Sequence, residues 1–271
     1  MRGLRLHGTA AIAEVPEQAI QLTPAGREYF GDLVEPFGAK VDEDLLQRPG
    51  GHVSYTDLVE RLVGEAPETA MDPDLVLLAY GLPDLSPAVS VAPYLNHLTG
   101  GRAIGFAVTE QGLGAPFTAL RTAAAFARVG RCERFVLAAV EQARVPSRDP
   151  VVHDQRLHGS GVLLVFDVSP GPGVVEAVPA PVEPGGLWDK VAEAAGTEGR
   201  TLVVVGPWAS RLEEPLEVAA DVHPVGPGHY CTSVWLALAE HGARWTAEYD
   251  RLVLCDRDPR SGDGHLAVLG A

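Results

Sequence analysis

The chain has 271 residues, of which 36 are acidic and 21 are basic, and its formal net charge is −15. Hydrophobic residues make up 46% of the sequence, which is enough for a large core. We therefore expect a folded α/β protein with one large domain or two small fused ones. The acidic balance argues against binding to nucleic acid, because contact with a phosphate backbone requires clustered Lys and Arg side chains.

Membrane insertion and disulfide bonding are not expected either. No stretch approaches the ~20 apolar residues that a membrane-spanning helix requires. The three cysteines, Cys132, Cys231 and Cys255, show neither metal-ligand spacing nor an even count. The sequence therefore predicts reduced thiols, no metal site and a cytoplasmic location.

The first part of the chain alternates short β-rich runs with helical runs, which is typical of a mixed α/β fold. Residues 54–66 predict a helix that Ser54 caps, and residues 74–81 predict a buried strand. The elements predicted after them are a strand at 102–109, an apolar helix at 114–130, and strands at 134–141 and 159–168.

The second part of the chain repeats this order. Its predicted elements are a helix at 186–199, a strand at 201–208, an apolar helix at 229–243, and strands at 251–258 and 262–271. Each half closes on a Gly-X-Gly turn that opens an apolar strand, "GSGVLLVF" and "GDGHLAVL". The repetition favours an internal duplication, with halves at 1–168 and 169–271. The Pro-rich segment 168–186 between them is predicted to contain a strand rather than a flexible linker.

A glycine-flanked bend, "EQGLGAP", joins the strand at 102–109 to the apolar helix after it. A bend of this kind usually presents one reactive side chain at the N-terminus of a helix. Here Gln111, Gly112 and Leu113 occupy the bend, and none of them is a nucleophile.

The duplicated chain resembles the thiolase superfamily, and within it the ketoacyl synthase III branch of condensing enzymes. The resemblance rests on "DLVLLAYGLPDLSP", on the bend and its helix ending in Gly130, and on the strand ending in Glu141. "LHGSGVLLVF" is similar to the family's F-G-D-G-A-x-A segment, with Ser160 where Asp is usual. The resemblance covers roughly residues 70–270. It implies two similar βαβαβ-type halves, stacked in a layered α/β/α/β/α arrangement.

In that family a Cys on the bend is acylated, and a His and an Asn complete the site. The position of the Cys corresponds to Gln111, Gly112 or Leu113, depending on the register. The position of the His corresponds to Pro207 or its neighbour, and that of the Asn to His229. All three catalytic identities are therefore lost, and the standard condensation is not expected.

Three other residues remain chemical candidates. His229 and Cys231 lie at the start of the second apolar helix, where a thiolate and a neighbouring base would be one interpretation. The simpler interpretation is a buried apolar Cys and a capping His. Glu110, next to the bend, is either a general base or a charge partner of the helix N-terminus.

The resemblance implies a non-catalytic, chain-length-factor-like subunit of polyketide or fatty-acyl natural-product biosynthesis. Such a subunit supports an active ketosynthase in a heterodimer, paired through the strand at 134–141, although a homodimer remains open. The alternative is an acyltransferase or ketosynthase-like enzyme with non-standard catalytic residues. It would act on the phosphopantetheine of an acyl carrier protein or on a coenzyme A thioester, without a bound cofactor. An unrelated α/β binding protein is the third possibility.

Overall fold

The computed structural model describes residues 3–15, 20, 22–47, 52–86, 89–169, 174–211 and 218–270. Its strands are β1 (Gly3–Ile12), β2 (Leu75–Ala79), β3 (Ile104–Val108), β4 (Arg134–Glu141), β5 (Ser160–Ser169), β6 (Val174–Ala177), β7 (Thr201–Val205), β8 (Asp221–Pro224), β9 (Arg251–Arg257) and β10 (Gly264–Gly270). Its helices are α1 (Pro24–Val34), α2 (Glu43–Gln47), α3 (Tyr55–Glu65), α4 (Val91–Leu98), α5 (Ala115–Arg128), α6 (Pro150–His153), α7 (Leu187–Ala195) and α8 (Ser233–Glu248). None of these helices in the described ranges is long and apolar enough to cross a membrane.

The strands fall into two groups of five with the same topology. The first group has the order β1-β5-β4-β2-β3, and the second has the order β6-β10-β9-β7-β8. In both groups the first two neighbouring pairs are antiparallel and the last two are parallel. The groups join at one residue pair, Arg5 with Val174, and they are called the first and the second sheet below. The predicted fold of two similar α/β halves is therefore confirmed.

The side chains of each sheet alternate between two packing layers. In β2, Leu75 and Leu77 face a central cluster with α5 and α8, whereas Val76 and Leu78 face α3 and α4. Strand β7 alternates in the same way between the central cluster and the cluster beneath α7. Because each sheet is covered on both faces, its strands read as continuous apolar runs. The layers follow the predicted α/β/α/β/α order.

The two central helices are apolar on most of their surface, as expected for helices that lie between two sheets. Phe117 in α5 packs against Trp235 in α8, with ring centroids 4.8 Å apart. Small residues in α5, including Ala119 and Ala123, are fully buried at this central interface. The central layer fixes the N-termini of both helices in the middle of the molecule.

Two predictions about the elements change, and two hold. Strand β4 is bonded to β2 on one side and to β5 on the other, so the predicted pairing of two chains through this strand is wrong. The second apolar helix begins at Ser233, so His229 and Cys231 precede it. The Pro-rich segment contains β6, as predicted, while its residues 170–173 lie outside the described ranges. Ser54 caps α3 as expected, because its hydroxyl accepts the Asp57 N–H at 3.1 Å.

Candidate functional site

The bend after β3 is held in a left-handed conformation. Glu110 has φ of 58° and Gly112 has φ of 51°, and Gly112–Gly114 then form one turn of 3-10 helix that leads into α5. Gly81, just after β2, packs directly against this bend. A Cβ atom at Gly81 would lie 2.5 Å from the Gly112 carbonyl oxygen and 3.0 Å from the Tyr230 ring. Only a glycine allows the two segments to approach so closely.

Asp258 and Tyr230 occupy the space in front of the bend. The Asp258 Oδ2 atom accepts the Leu113 N–H at 2.9 Å and the Tyr230 hydroxyl at 2.9 Å. A Cβ atom at Gly112 would collide with Asp258 Oδ2 and would lie 2.5 Å from the Tyr230 hydroxyl. A buried carboxylate therefore sits at the N-terminus of α5, where the helix dipole stabilises negative charge.

Tyr230 is fixed in its neutral form at the centre of the site. Burial and the Asp258 carboxylate raise the pKa of the Tyr230 phenol far above its usual value, although Arg260 opposes this shift. The guanidinium of Arg260 lies over the Tyr230 ring at 5.1 Å and is held by Asp149 at 2.6 Å. Tyr230 therefore acts as a hydrogen-bond donor and not as a phenolate base.

Trp208 fills the region after β7. Pro207 is buried at the start of this turn, and the Trp208 indole N–H donates to the His229 carbonyl at 3.1 Å. The indole packs edge-on against the Tyr230 ring, with ring centroids 6.0 Å apart. The Arg211 guanidinium lies over the indole, 4.5 Å from the ring centroid. The two positions that correspond to the family's His and Asn are thus in contact, because Trp208, next to Pro207, binds His229 and packs against Tyr230.

Glu141 is a second buried carboxylate, and it binds the turn that precedes α8. Its carboxylate accepts the N–H groups of Tyr230 at 3.0 Å, Cys231 at 2.7 Å and Thr232 at 3.3 Å. The His229 Nδ1 atom lies 3.3 Å from Oε1, although the two atoms do not have hydrogen-bond geometry. Burial alone would raise the pKa of Glu141, but His229 and the backbone N–H groups outweigh it and lower the pKa. Glu141 is therefore an ionised, buried acceptor for the backbone of the turn before α8.

Cys231 is not in a setting that activates a thiol. Its side chain is 2% exposed, and burial together with the neighbouring Glu141 raises its pKa well above the usual value. The Sγ atom contacts the Val140 carbonyl at 3.8 Å. Because only a thiolate is an efficient nucleophile, the geometry supports the apolar interpretation of Cys231.

Glu110 lies apart from this centre. Its side chain is exposed at the rim of a cavity that opens beside the bend, and it makes no ion pair within the described ranges. The Ser160 hydroxyl is bound between Glu141 at 3.2 Å and Thr232 at 2.8 Å, which is a structural role. No group of three or more His, Cys, Asp or Glu residues in the described chain could hold a metal ion.

Each half supplies a carboxylate to the turn that precedes the central helix of the other half. Glu141 ends β4 in the first half and binds the turn before α8, whereas Asp258 follows β9 in the second half and binds the turn before α5. The sequence patterns assigned no role to Asp258 or Tyr230. A signal was present, because the repeated runs "RFVLAAVE" and "RLVLCDRD" both end in an acid.

Comparison with known proteins identifies the fold. No protein-family model and no curated protein matches the chain. Among solved structures, 3-oxoacyl-(acyl carrier protein) synthase III, FabH, from Pseudomonas aeruginosa PAO1 superimposes with a TM-score of 0.65 at 14% identity, over 99% of this chain and 98% of its own. The chain has a thiolase-like fold of the ketoacyl synthase III type.

Other structures with this thiolase-like fold match equally well. AbyA1, a tetronic acid condensing enzyme, has a TM-score of 0.65 at 15% identity over 99% of this chain and 100% of its own. ChlB3, an acyltransferase, has a TM-score of 0.65 at 15% identity over 99% and 98%. The shared fold therefore accompanies more than one reaction, and function has to be argued from the residues of the site.

Proposed function

We propose that the chain is a non-catalytic subunit that pairs with and supports an active ketosynthase in polyketide or fatty-acyl natural-product biosynthesis. One observation carries this proposal, which is that Asp258 and Tyr230 fill the space in front of the α5 N-terminus. The thiolate of the family's catalytic Cys is favoured by that same helix end. A buried carboxylate there repels a second negative charge and leaves no room for an acyl group.

The absence of an alternative nucleophile among the described residues nearby supports the same conclusion. Cys231 is buried and its pKa is raised, so its thiol stays protonated near neutral pH. The region around Trp208 is closed by its contacts with His229 and Tyr230. A chain with these contacts keeps the scaffold of the thiolase-like fold while its catalytic centre is packed as core.

Strand β3 is the surface that best fits a partner. It is an edge strand, and Ile104 at its start is 50% exposed, with Gly105 and Ala107 also exposed. An exposed apolar edge offers unpaired backbone groups to a strand of another chain. The opposite edge, β8, is protected by its four-residue length, by Asp221 and by Pro224.

Co-expression with an intact Cys-containing ketosynthase from the same genome tests the proposal. We expect the two chains to co-purify in equal amounts, and Ile104→Lys to abolish the complex because a buried, unpaired ammonium opposes strand pairing. Val222→Lys is the matched control, since Val222 is 47% exposed on β8 and Ile104 is 50% exposed on β3. A complex that survives Ile104→Lys, or condensing activity of this chain alone, would contradict the proposal.

An acyltransferase with non-standard residues is the alternative, and exposed Glu110 beside the cavity favours it as a general base. Such an enzyme would position an acyl thioester of coenzyme A or of a carrier phosphopantetheine next to an acceptor. Incubation with acyl-coenzyme A, followed by intact-mass spectrometry and a thiol-release assay, separates the two functions. Acyl transfer that Glu110→Gln reduces at least tenfold supports the enzyme, whereas no adduct and no thiol release supports the partner.

A further inference from the structure

A serine, a histidine and a glutamine form a hydrogen-bonded chain beside the loop that follows β2. The Ser86 Oγ atom lies 3.3 Å from Nε2 of His52, and Nδ1 of His52 lies 3.2 Å from Oε1 of Gln142. His52 and Gln142 are buried, whereas Ser86 is half-buried. A hydroxyl, an imidazole and a third group that orients the imidazole are together the parts of an activated nucleophile.

The hydrogen bonds of this chain assign the position of each proton. The Gln142 amide donates its Nε2–H to the Pro83 carbonyl, so its Oε1 atom faces His52. Because an amide oxygen only accepts, His52 carries its proton on Nδ1 and presents a lone pair at Nε2. The Ser86 hydroxyl therefore donates to Nε2. This is the tautomer that a general base for the Ser86 hydroxyl requires.

The His52 imidazole is also in the protonation state that a base requires. Burial lowers the pKa of His52 and Arg144 lowers it further, although the bond from Gln142 and the charge of Asp57 oppose this shift. His52 is therefore mostly neutral at pH 7.5 and able to accept a proton.

Ser86 lines a cavity of about 870 Å³ that opens beside the bend, outside the packed centre. The cavity lies between α1, α4 and the carboxyl ends of β2 and β3. Apolar side chains from these elements form most of its wall, including Leu33, Leu78 and Val91. The space has the size and the mainly apolar lining of a small-molecule pocket, which suits an apolar acyl chain next to the Ser86 hydroxyl.

The charged groups of the cavity favour a neutral substrate over an anionic one. Among the described residues that line it, three are acids and one is a base, namely Asp84, Glu110, Asp149 and Arg260. Asp149 already holds Arg260 at 2.6 Å, whereas Glu110 is exposed at the rim. An anion that enters the cavity therefore meets an excess of negative charge.

We propose that Ser86 is a nucleophile that hydrolyses neutral esters of apolar carboxylic acids, with His52 as its general base and Gln142 as a positioning residue. The Ser86 Oγ atom bonds to the ester carbonyl carbon while its proton passes to His52 Nε2. The bond between that carbon and the alcohol oxygen then breaks, and the alcohol leaves with the proton. Water attacks the resulting acyl-serine in the same way, which releases the carboxylic acid and restores Ser86.

This inference goes beyond the proposed subunit role. That role concerns the centre filled by Asp258 and Tyr230, where condensation is not expected, whereas ester hydrolysis is assigned to a separate hydroxyl. The inference therefore holds whether or not a ketosynthase partner binds, and its test uses the chain by itself.

An alkyl fluorophosphonate, which bonds to activated serines with loss of fluoride, tests the nucleophile in the purified chain at pH 7.5. We expect one phosphonate per chain, located on Ser86 by peptide mass spectrometry. Hydrolysis of p-nitrophenyl hexanoate tests the reaction. Ser86→Ala and His52→Gln should each lower kcat/KM at least about 100-fold, because the first removes the nucleophile and the second its base.

Ser169→Ala is the matched control, because Ser169 is also half-buried but its hydroxyl donates to the Asp167 carboxylate and not to an imidazole. We expect it to leave kcat/KM within about twofold of wild type. Gln142→Leu tests the positioning role, since it removes the acceptor of the His52 Nδ1–H. It should lower kcat at least about tenfold and change KM less than about twofold.

The mono-p-nitrophenyl ester of adipic acid tests the preference for neutral substrates, because it differs from the hexanoate in a terminal carboxylate. We expect its kcat/KM to be at least about tenfold lower. Circular dichroism and thermal unfolding establish that the variants fold, and mapping of the label on the wild-type chain needs no variant. Absence of the label from Ser86, hydrolysis that survives Ser86→Ala, labelling that His52→Gln leaves unchanged, or equal hydrolysis of the adipate ester would each overturn the inference.

Discussion

At Gly112 the left-handed backbone and the lack of a side chain serve the same purpose. The φ angle of 51° disfavours any residue with a Cβ atom, and Asp258 and Tyr230 already occupy the space into which such an atom would project. Restoring a Cys at the bend therefore cannot restore a reactive thiol by one substitution. The side chains of Asp258 and Tyr230 would also have to be changed, because they fill the space in front of the bend.

Gly112→Cys should destabilise the protein by about 2–5 kcal/mol, combining a left-handed non-glycine residue with overpacking. Urea unfolding measures this difference. Gly130→Cys is the control, since Gly130 has φ of 69° and no atom lies within 4 Å of the position that a Cβ atom would take there. It should cost only about 1–2 kcal/mol, for the backbone alone. Equal losses in the two variants would mean that Asp258 and Tyr230 do not fill the space.

At the scale of elements, the dominant feature is the carboxylate at the start of each central helix. The N–H groups of a buried turn that leads into a helix have no partner within that helix, so they need an acceptor from elsewhere. Glu141 supplies it for the turn before α8 and Asp258 for the turn before α5. Glu141 ends β4 and Asp258 follows β9, so each acceptor belongs to the half opposite to the helix that it serves.

Glu141→Gln should lower the free energy of unfolding by about 2–4 kcal/mol at pH 7, because charge-assisted bonds to backbone N–H groups are lost and an amide group faces donors. The pKa of Glu141 is lowered in the folded state, so its contribution is complete above its unfolded value of about 4.3. The difference from wild type should shrink as the pH falls below that value. Glu133→Gln, exposed just before β4, is the control in the same urea titrations, and an equal loss there would contradict the assignment.

The elements that were predicted from sequence have a strong local signal. The buried runs of β2, β4, β7 and β9 and the apolar helix α5 are examples. Strand β1 was missed because its register shifts between Leu6 and Gly8, which breaks the alternation of side chains. Strand β8 was missed because it has four residues and ends in a Pro.

The filled centre has no comparable local signal. The sequence shows that residues 111–113 include no nucleophile, but it does not show which side chains fill the space in front of them. Asp258 reaches the bend across 145 residues of sequence, and Tyr230 meets Asp258 across 28. Such contacts are set by the stacking of the two sheets, so they require the fold as an intermediate step.

At the scale of the whole molecule, all three thiols are enclosed by the core. Cys132, Cys231 and Cys255 are each 2% exposed or less. Burial raises the pKa of Cys132 to about 12, and burial together with a neighbouring carboxylate raises the pKa of Cys231 and of Cys255 well above the usual value. We therefore expect the three thiols to react with added reagents only when the protein unfolds, and not in the native state.

Labelling with iodoacetamide at pH 7.5 should be negligible in the native protein and should reach three groups per chain in denaturing urea. The native labelling rate should follow the population of the unfolded state as urea increases. Mass spectrometry of the labelled peptides provides the measurement. Rapid modification of Cys231 alone, at a rate independent of urea, would contradict the buried setting of that thiol.

The contacts of Glu141 and Asp258 between the two halves also affect when the chain can complete its folding during translation. The N–H group of Cys231 that binds Glu141 is made 90 residues after it, which at about 5–20 residues per second is a delay of roughly 5–18 s. Leu113 waits still longer, for a carboxylate 145 residues downstream. The first half therefore leaves the ribosome before the Glu141 carboxylate and the Leu113 N–H have their partners. Its folding is completed only after Asp258 has been synthesised.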